Sequence, residues 1–221
     1  MERFFSDNDR ILFVGAHLDD IEFGCGGTVF DLCKKNKNVY IATLSVANKN
    51  ANGHIQLIRD RNEALCAAEK LGVPEENCYM GNCFGQIFDQ TPQEIREELI
   101  GLKKKYDPTV VFYPAENDIH QDHNALAQNA FRIFRNISCF GYEVIRSTFS
   151  FNPSFYYEIN EDALATKISA ISQYESQQRQ SAAYYFNEDI IRSAAFFRGG
   201  QCGLRLAEAY ECYRLIVPMK K

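Results

Sequence analysis

Basic charge is scarce in this sequence. Lys and Arg number 24 against 29 Asp and Glu in 221 residues, a formal net charge of −5. Nucleic acid or an anionic membrane surface would select a basic stripe, and none is visible, so neither is expected as the main partner. Long apolar runs are also missing. The runs at 39–42 and 110–113 fall far short of the roughly 18 residues of a membrane span. Residues 1–10 contain no apolar h-region, which argues against a secretory leader and for a cytoplasmic location. No two of the eight cysteines (Cys25, Cys33, Cys66, Cys78, Cys83, Cys139, Cys202 and Cys212) form a C-x-x-C. Reduced, buried thiols are therefore expected rather than disulfides, and the Asn136-Ile137-Ser138 sequon carries no meaning. The G-x-S-x-G, H-E-x-x-H and G-K-[ST] signatures are absent as well, which removes three common hydrolase readings.

What is present describes a globular chain. Hydrophobic residues make up 46% and charged residues 24%, enough for one domain with a substantial core, taken as 1–221. The spacing predicts strands at 11–16, 39–44, 77–80 and 109–113. Helices are predicted at 28–35, 55–71, 91–106 and 122–134. Gly72 and Pro74 stop the second helix, and Thr91-Pro92-Gln93-Glu94 opens the third with a Thr cap, Pro first and Glu third. The Asn- and Gly-bearing stretch 45–54 reads as a loop. In the last third, strands are expected at 142–148, 155–158 and 212–217 and helices at 161–174 and 187–197. This alternation predicts an α/β fold: a Rossmann-like, mostly parallel sheet with helices on both faces.

Ligands in such sheets bind outside the carboxyl ends of the strands. Two polar clusters fall there. His17-Leu18-Asp19-Asp20 follows the first strand, and Asp118-Ile119-His120-Gln121-Asp122-His123 follows the fourth. Together they hold three of the four histidines, His54 being the exception. An Asp-Asp pair before a helix is usually an N-cap with a favourable dipole contact, which explains the first cluster cheaply when it is taken alone. Histidines at i and i+3 with an aspartate between them suit a zinc site of three protein ligands and an open position. A further carboxylate or imidazole nearby would then serve as general base or oxyanion partner. Gly24, Gly26 and Gly27 do not make a dinucleotide site, because Val29 stands where the third glycine belongs and 45–48 hold no acid. Close packing accounts for them better, and Cys25 reads as a small residue beneath the site rather than a nucleophile. Arg59, Arg61 and Arg198 are substrate-contact candidates through an Arg fork, or else surface ion pairs. Tyr184, Tyr185, Phe196 and Phe197 remain open between core and sugar-stacking roles.

Residues 16–27, Ala-His-Leu-Asp-Asp-Ile-Glu-Phe-Gly-Cys-Gly-Gly, resemble the A-H-P-D-D-x-E-x-G-C-G-G signature of the LmbE/PIG-L-like zinc N-deacetylases. Residues 118–123 resemble the family's second motif, H-x-D-H. Residues 63–73, 172–177, 198–199 and 207–210 resemble further family segments, so the likeness spans nearly the whole chain. It implies an LmbE-like fold and a zinc-dependent hydrolase removing acetyl from an N-acetylglucosamine-type sugar or glycoconjugate. It implies zinc bound by His17, Asp20 and His123, with Fe2+ compatible with the same ligands. It further implies Asp19 as general base, His120 as oxyanion partner or proton donor to the amine, and Asp122 orienting His120 through a ring N–H. A small-molecule amino-sugar substrate and a homo-oligomer follow from the same likeness. Two departures are Leu18 for the usual Pro and Tyr174 for a usual His. The alternatives are a non-catalytic sugar- or metal-binding module, or a zinc amidohydrolase for a different acylated amine; retention of Asp19 favours catalysis.

Overall fold

The computed structural model describes residues 4–49, 52–57, 60–178 and 183–217. Eight strands form one sheet: β1 (Arg10–His17), β2 (Asn38–Lys49), β3 (Ile55–Leu57), β4 (Cys78–Gly85), β5 (Val110–Pro114), β6 (Ser138–Tyr142), β7 (Phe155–Glu158) and β8 (Ala207–Arg214). β1 lies between β2 and β5, β4 pairs with β2, and β6, β8 and β7 follow β5 in that order. The β4/β2, β2/β1, β1/β5 and β5/β6 pairs are parallel; β8 runs antiparallel to β6 and β7. The expected mostly parallel α/β sheet is therefore the fold.

Helices cover both faces: α1 (Asp20–Lys34), α2 (Arg61–Lys70), α3 (Pro92–Tyr106), α4 (Gln121–Ile133), α5 (Glu161–Ile171), α6 (Glu175–Gln178) and α7 (Glu188–Cys202). β1 shows why. Ile11 and Phe13 pack with Leu32 of α1 and Ala64 of α2, while Leu12 and Val14 pack with Leu99 of α3 and Leu126 of α4. Alternate residues of a strand point to opposite faces, so a strand buried on both sides must be apolar throughout. None of the eight cysteines is in a disulfide, but only Cys25, Cys83 and Cys139 are buried as expected, while Cys66 and Cys202 are exposed. Among the described residues no helix is long and apolar enough to cross a membrane.

Five local expectations need correction. α1 starts at Asp20 rather than 28, so the glycine-rich stretch is helical. Its glycines allow close approach: a Cβ on Gly24 would stand 2.2 Å from the Tyr142 ring of β6. Residues 45–49 extend β2, and 55–57 are strand rather than helix because they pair antiparallel with 47–49 of β2. α2 begins only at Arg61, capped by the Asp60 carboxylate on the Asn62 N–H. The sixth strand is 138–142 rather than 142–148, and the last is 207–214 rather than 212–217, where it pairs with both β6 and β7.

The chain leaves β1 for β2 on one side and later reaches β5 on the other. The strand order thus reverses at β1/β5, where an open α/β sheet forms a crevice at its carboxyl edge. His17 is the last residue of β1, and Pro114 ends β5 a few residues before the second polar cluster.

Candidate metal centre and its cleft

β1 delivers His17 to the crevice. The chain then turns sharply at Asp19, whose φ of +108° lies in the left-handed region that L-residues avoid. Such a conformation costs on the order of 1–3 kcal/mol and is held only by its surroundings. Asp19 precedes α1 but makes no side-chain cap bond to it, so capping does not account for its carboxylate. Asp20 opens the helix, and its Oδ2 accepts the His17 backbone N–H at 2.8 Å. Across the crevice, His120 is the N-cap of α4 and His123 lies in the first turn.

Three side chains converge. His17 Nδ1 and His123 Nε2 are 3.3 Å apart. Asp20 Oδ1 is 3.2 Å from His123 Nε2, and Asp20 Oδ2 is 3.5 Å from His17 Nδ1. All three residues are buried, at 2–4% exposure. The outer nitrogens are held by further carboxylates. His17 Nε2 meets Asp122 Oδ2 at 2.9 Å, and His123 Nδ1 meets Asp118 Oδ2 at 3.0 Å. Asp122 also accepts the backbone N–H groups of Gln86 (2.6 Å) and Phe88 (3.1 Å), from the loop after β4. Asp118 accepts the hydroxyls of Ser147 (2.9 Å) and Thr148 (2.7 Å) and the His120 N–H (2.8 Å).

This geometry corrects one expected pairing. Asp122 orients His17, not His120. The His120 ring instead accepts the Asp122 backbone N–H on Nδ1 at 3.2 Å. The reason is helix capping: an N-cap side chain is directed at the second or third backbone N–H of its helix. The neutral His120 ring therefore carries its proton on Nε2. It stacks on His123 with centroids 4.5 Å apart and meets His17 edge-on at 4.8 Å.

The electrostatics favour a cation. Burial opposes charge on Asp20, yet the His123 and His17 imidazoles hold its carboxyl well below the usual range. Asp118 and Asp122 are likewise lowered against burial, chiefly by His123 and His17 respectively. Burial also opposes charge on His123, but Asp20 and Asp118 outweigh it and raise the ring to about 10. Burial and the two neighbouring imidazoles bring His120 down to about 4. No lysine or arginine among the described residues is ion-paired with Asp20, Asp118 or Asp122. A proton on His123 supplies the positive charge these carboxylates require, and a divalent metal fits the same place. Two imidazole nitrogens and a carboxylate make a zinc-type donor set, and each imidazole already has the outer carboxylate that such ligands favour. His17, His120 and Asp122 also lie close enough to hold a metal. There, however, His120 Nδ1 and the Asp122 oxygens are already engaged by hydrogen bonds. The Asp122 carboxylate of that group orients His17 of the first one.

The centre floors a cleft of about 300 Å³, lined also by Asp19, His120, Phe23, Ile119, Val144, Arg146, Ser147 and Tyr185. None of the described sequence-chosen arginines lines it. Arg198 is bound on both sides by the Glu143 carboxylate, at 2.7 and 2.5 Å. Arg61 is exposed at the start of α2, and Arg59 lies outside the described residues. Arg146, which does line the cleft, was missed. Its position just past the carboxyl end of β6 is the signal that would have found it, hidden because 142–148 read as strand. Tyr184, Phe196 and Phe197 are exposed away from the cleft lining. Tyr174 is buried under α1, its hydroxyl donating to Glu22 at 2.9 Å, and burial raises that carboxyl to about 7. Cys25 is fully buried, with its thiol pushed well up by desolvation, as an inert packing residue should be.

Comparison with known proteins agrees with this architecture. A profile of the PIG-L family, GlcNAc-PI de-N-acetylase, matches residues 12–134. The chain is 28% identical over 171 residues to the Escherichia coli K12 protein named uncharacterized deacetylase YaiS, covering 75% of this chain and 90% of that one. It is 23% identical over 226 residues to the diacetylchitobiose deacetylase of Thermococcus kodakarensis, covering 92% and 83%. The solved N,N'-diacetylchitobiose deacetylase of Pyrococcus horikoshii superposes with a TM-score of 0.74 at 21% identity, again covering 92% and 83%. The profile spans both clusters that build the centre and more than half of the residues, and the chain belongs to the PIG-L deacetylase family.

Proposed function

We propose that this protein is a metal-dependent N-deacetylase acting on the acetamido group of an N-acetylglucosamine-type sugar, as a single domain. The observation that carries the reading is the convergence of His17, Asp20 and His123, with Asp19 beside them in the same cleft. Relatives whose names state deacetylation of an amino sugar support it.

His17, Asp20 and His123 would hold the metal. When bound there, zinc, or Fe2+ with the same ligands, would polarise an amide carbonyl and bring the pKa of water from about 16 towards 7. Asp19 is adjacent in sequence to a ligand and lines the cleft, so its carboxylate takes the proton of the attacking water. His120 donates its Nε2–H to the oxygen that becomes negative as the carbonyl turns tetrahedral. Its Nδ1 is fixed by the α4 backbone, so that donor needs no reorientation. The proton held on Asp19 then passes to the nitrogen, and the C–N bond breaks to give acetate and the free amine. Asp118 and Asp122 hold the two imidazoles in one orientation throughout.

The test is metal analysis together with free-amine release from a panel of N-acetylglucosamine compounds, wild type beside Asp19→Ala. One divalent metal per chain, with turnover lost and metal kept in the variant, is the expected result. A chain that binds no divalent metal and gains no activity on adding zinc overturns the reading.

A further inference from the structure

Arg146 is unlike the other arginines of the described chain. Its guanidinium carbon lies 5.1 Å above the Tyr185 ring, and both residues line the cleft. No other arginine and no lysine lines it among the described residues. Among the described residues Arg146 has no carboxylate partner, whereas Arg10, Arg192, Arg198 and Arg205 are each paired with an acid. Exposed arginines without partners are ordinary; one laid on an aromatic face at the mouth of a cleft is pre-positioned. The Tyr185 ring is braced in turn by Phe23 at 5.1 Å and Phe186 at 4.6 Å.

The loop carrying Arg146 is also keyed to the metal centre. Ser147 and Thr148, the next two residues, donate their hydroxyls to Asp118 Oδ2, the oxygen that holds His123 Nδ1. Thr148 Oγ1 further accepts the Val144 N–H at 2.9 Å, closing the loop on itself. Arg146 is thereby held at a fixed reach from the reacting end of the cleft. A guanidinium stacked on a ring keeps its in-plane N–H groups for a bidentate acceptor, and carboxylate and phosphate are the acceptors whose geometry matches that fork. Sugar hydroxyls form only neutral–charged single bonds to it.

We propose that Arg146, seated on Tyr185, is an anion subsite, and that the preferred substrates carry a carboxylate or phosphate on the group attached to the acetylated amino sugar. The proposal rests on the deacetylase reading above. It is tested with metal-loaded protein and three N-acetylglucosaminides differing only in the attached group: neutral, carboxylate-bearing and phosphate-bearing. Amine release is measured for wild type, Arg146→Gln, Arg146→Lys and Tyr185→Leu, and calorimetry measures binding of the three matching free amines. The expected result is at least tenfold higher kcat/KM for one or both anionic compounds. That advantage should be lost in Arg146→Gln and only partly kept in Arg146→Lys and Tyr185→Leu, with the neutral compound within about twofold throughout. Which anionic compound leads tells carboxylate from phosphate. Equal rates for all three compounds in wild type, or an equal loss for all three in Arg146→Gln, overturns the subsite while leaving deacetylation in place. If no compound releases amine, tighter binding of an anionic amine that Arg146→Gln abolishes supports the subsite and removes deacetylation. Binding without that difference overturns the subsite as well.

Discussion

At the floor of the cleft the His17 and His123 imidazoles of the candidate metal centre each lie between Asp20 and an outer carboxylate, and those outer carboxylates are themselves fixed by backbone amides or hydroxyls. At its mouth, 5.1 Å above a ring, Arg146 is exposed and has no carboxylate partner among the described residues. The floor is built for one geometry and carries strain at Asp19 and at Gln86, whose φ of +71° aims its N–H at Asp122. The mouth is positioned but unsatisfied. Chemistry that must stabilise one transition state benefits from pre-set donors, whereas recognition leaves its polar groups for the ligand. Substitutions at the floor should therefore change turnover, metal affinity or stability, and substitutions at the mouth should change preference alone.

Four outcomes would sharpen or break that contrast. The largest effect is expected at Asp19. Asp19→Asn keeps the shape and removes the base, so kcat should fall about 10²–10⁴-fold with metal content unchanged, by steady-state kinetics beside metal analysis. A fall in metal content would make Asp19 a ligand instead. Next, Asp122→Asn and Asp118→Asn should each weaken metal binding about 10–100-fold, measured by competition with a chelator of known affinity. An Asp122→Asn protein with normal affinity but altered catalysis would return Asp122 to His120. Third, Gly24→Ala drives a methyl into the Tyr142 ring and should cost about 1–3 kcal/mol. Thermal unfolding should then shift down by about 2–4 °C for each kcal/mol. An unchanged midpoint would mean that α1 and β6 have room to separate. The smallest effect belongs to the mouth: Arg146→Gln should change stability by less than about 0.5 kcal/mol, in the same unfolding assay. A larger loss would show that Arg146 holds the loop in place and is not left for a ligand.

The two polar clusters were legible because each lies within six consecutive residues at a strand end, and strand ends are where an α/β sheet binds. α3 and β7 were legible too, β7 from its aromatic run and α3 because Pro92 opens it, although Thr91 makes no cap bond and donates its hydroxyl to the Ile87 carbonyl instead. Other parts were not. Residues 55–57 share the helical spacing of the α2 segment that follows, and only pairing with β2 makes them strand. Arg146 was obscured when β6 was placed four residues late, which turned a strand-end loop into strand interior. Arg198 had the right side chain but points its fork at Glu143, a partner 55 residues away.

The sequence by itself determined the parallel α/β order, the segments that meet at the crevice and the residue types of the candidate metal centre, because local periodicity and short motifs encode them. Tertiary structure decided which carboxylate serves which imidazole. His17 and Asp122 are 105 residues apart, and their pairing exists only because β1 and β5 are neighbours and the loop after β4 folds its amides over the Asp122 carboxylate. A hydrogen bond depends on distances within a few tenths of an ångström, and no spacing along the chain carries that information.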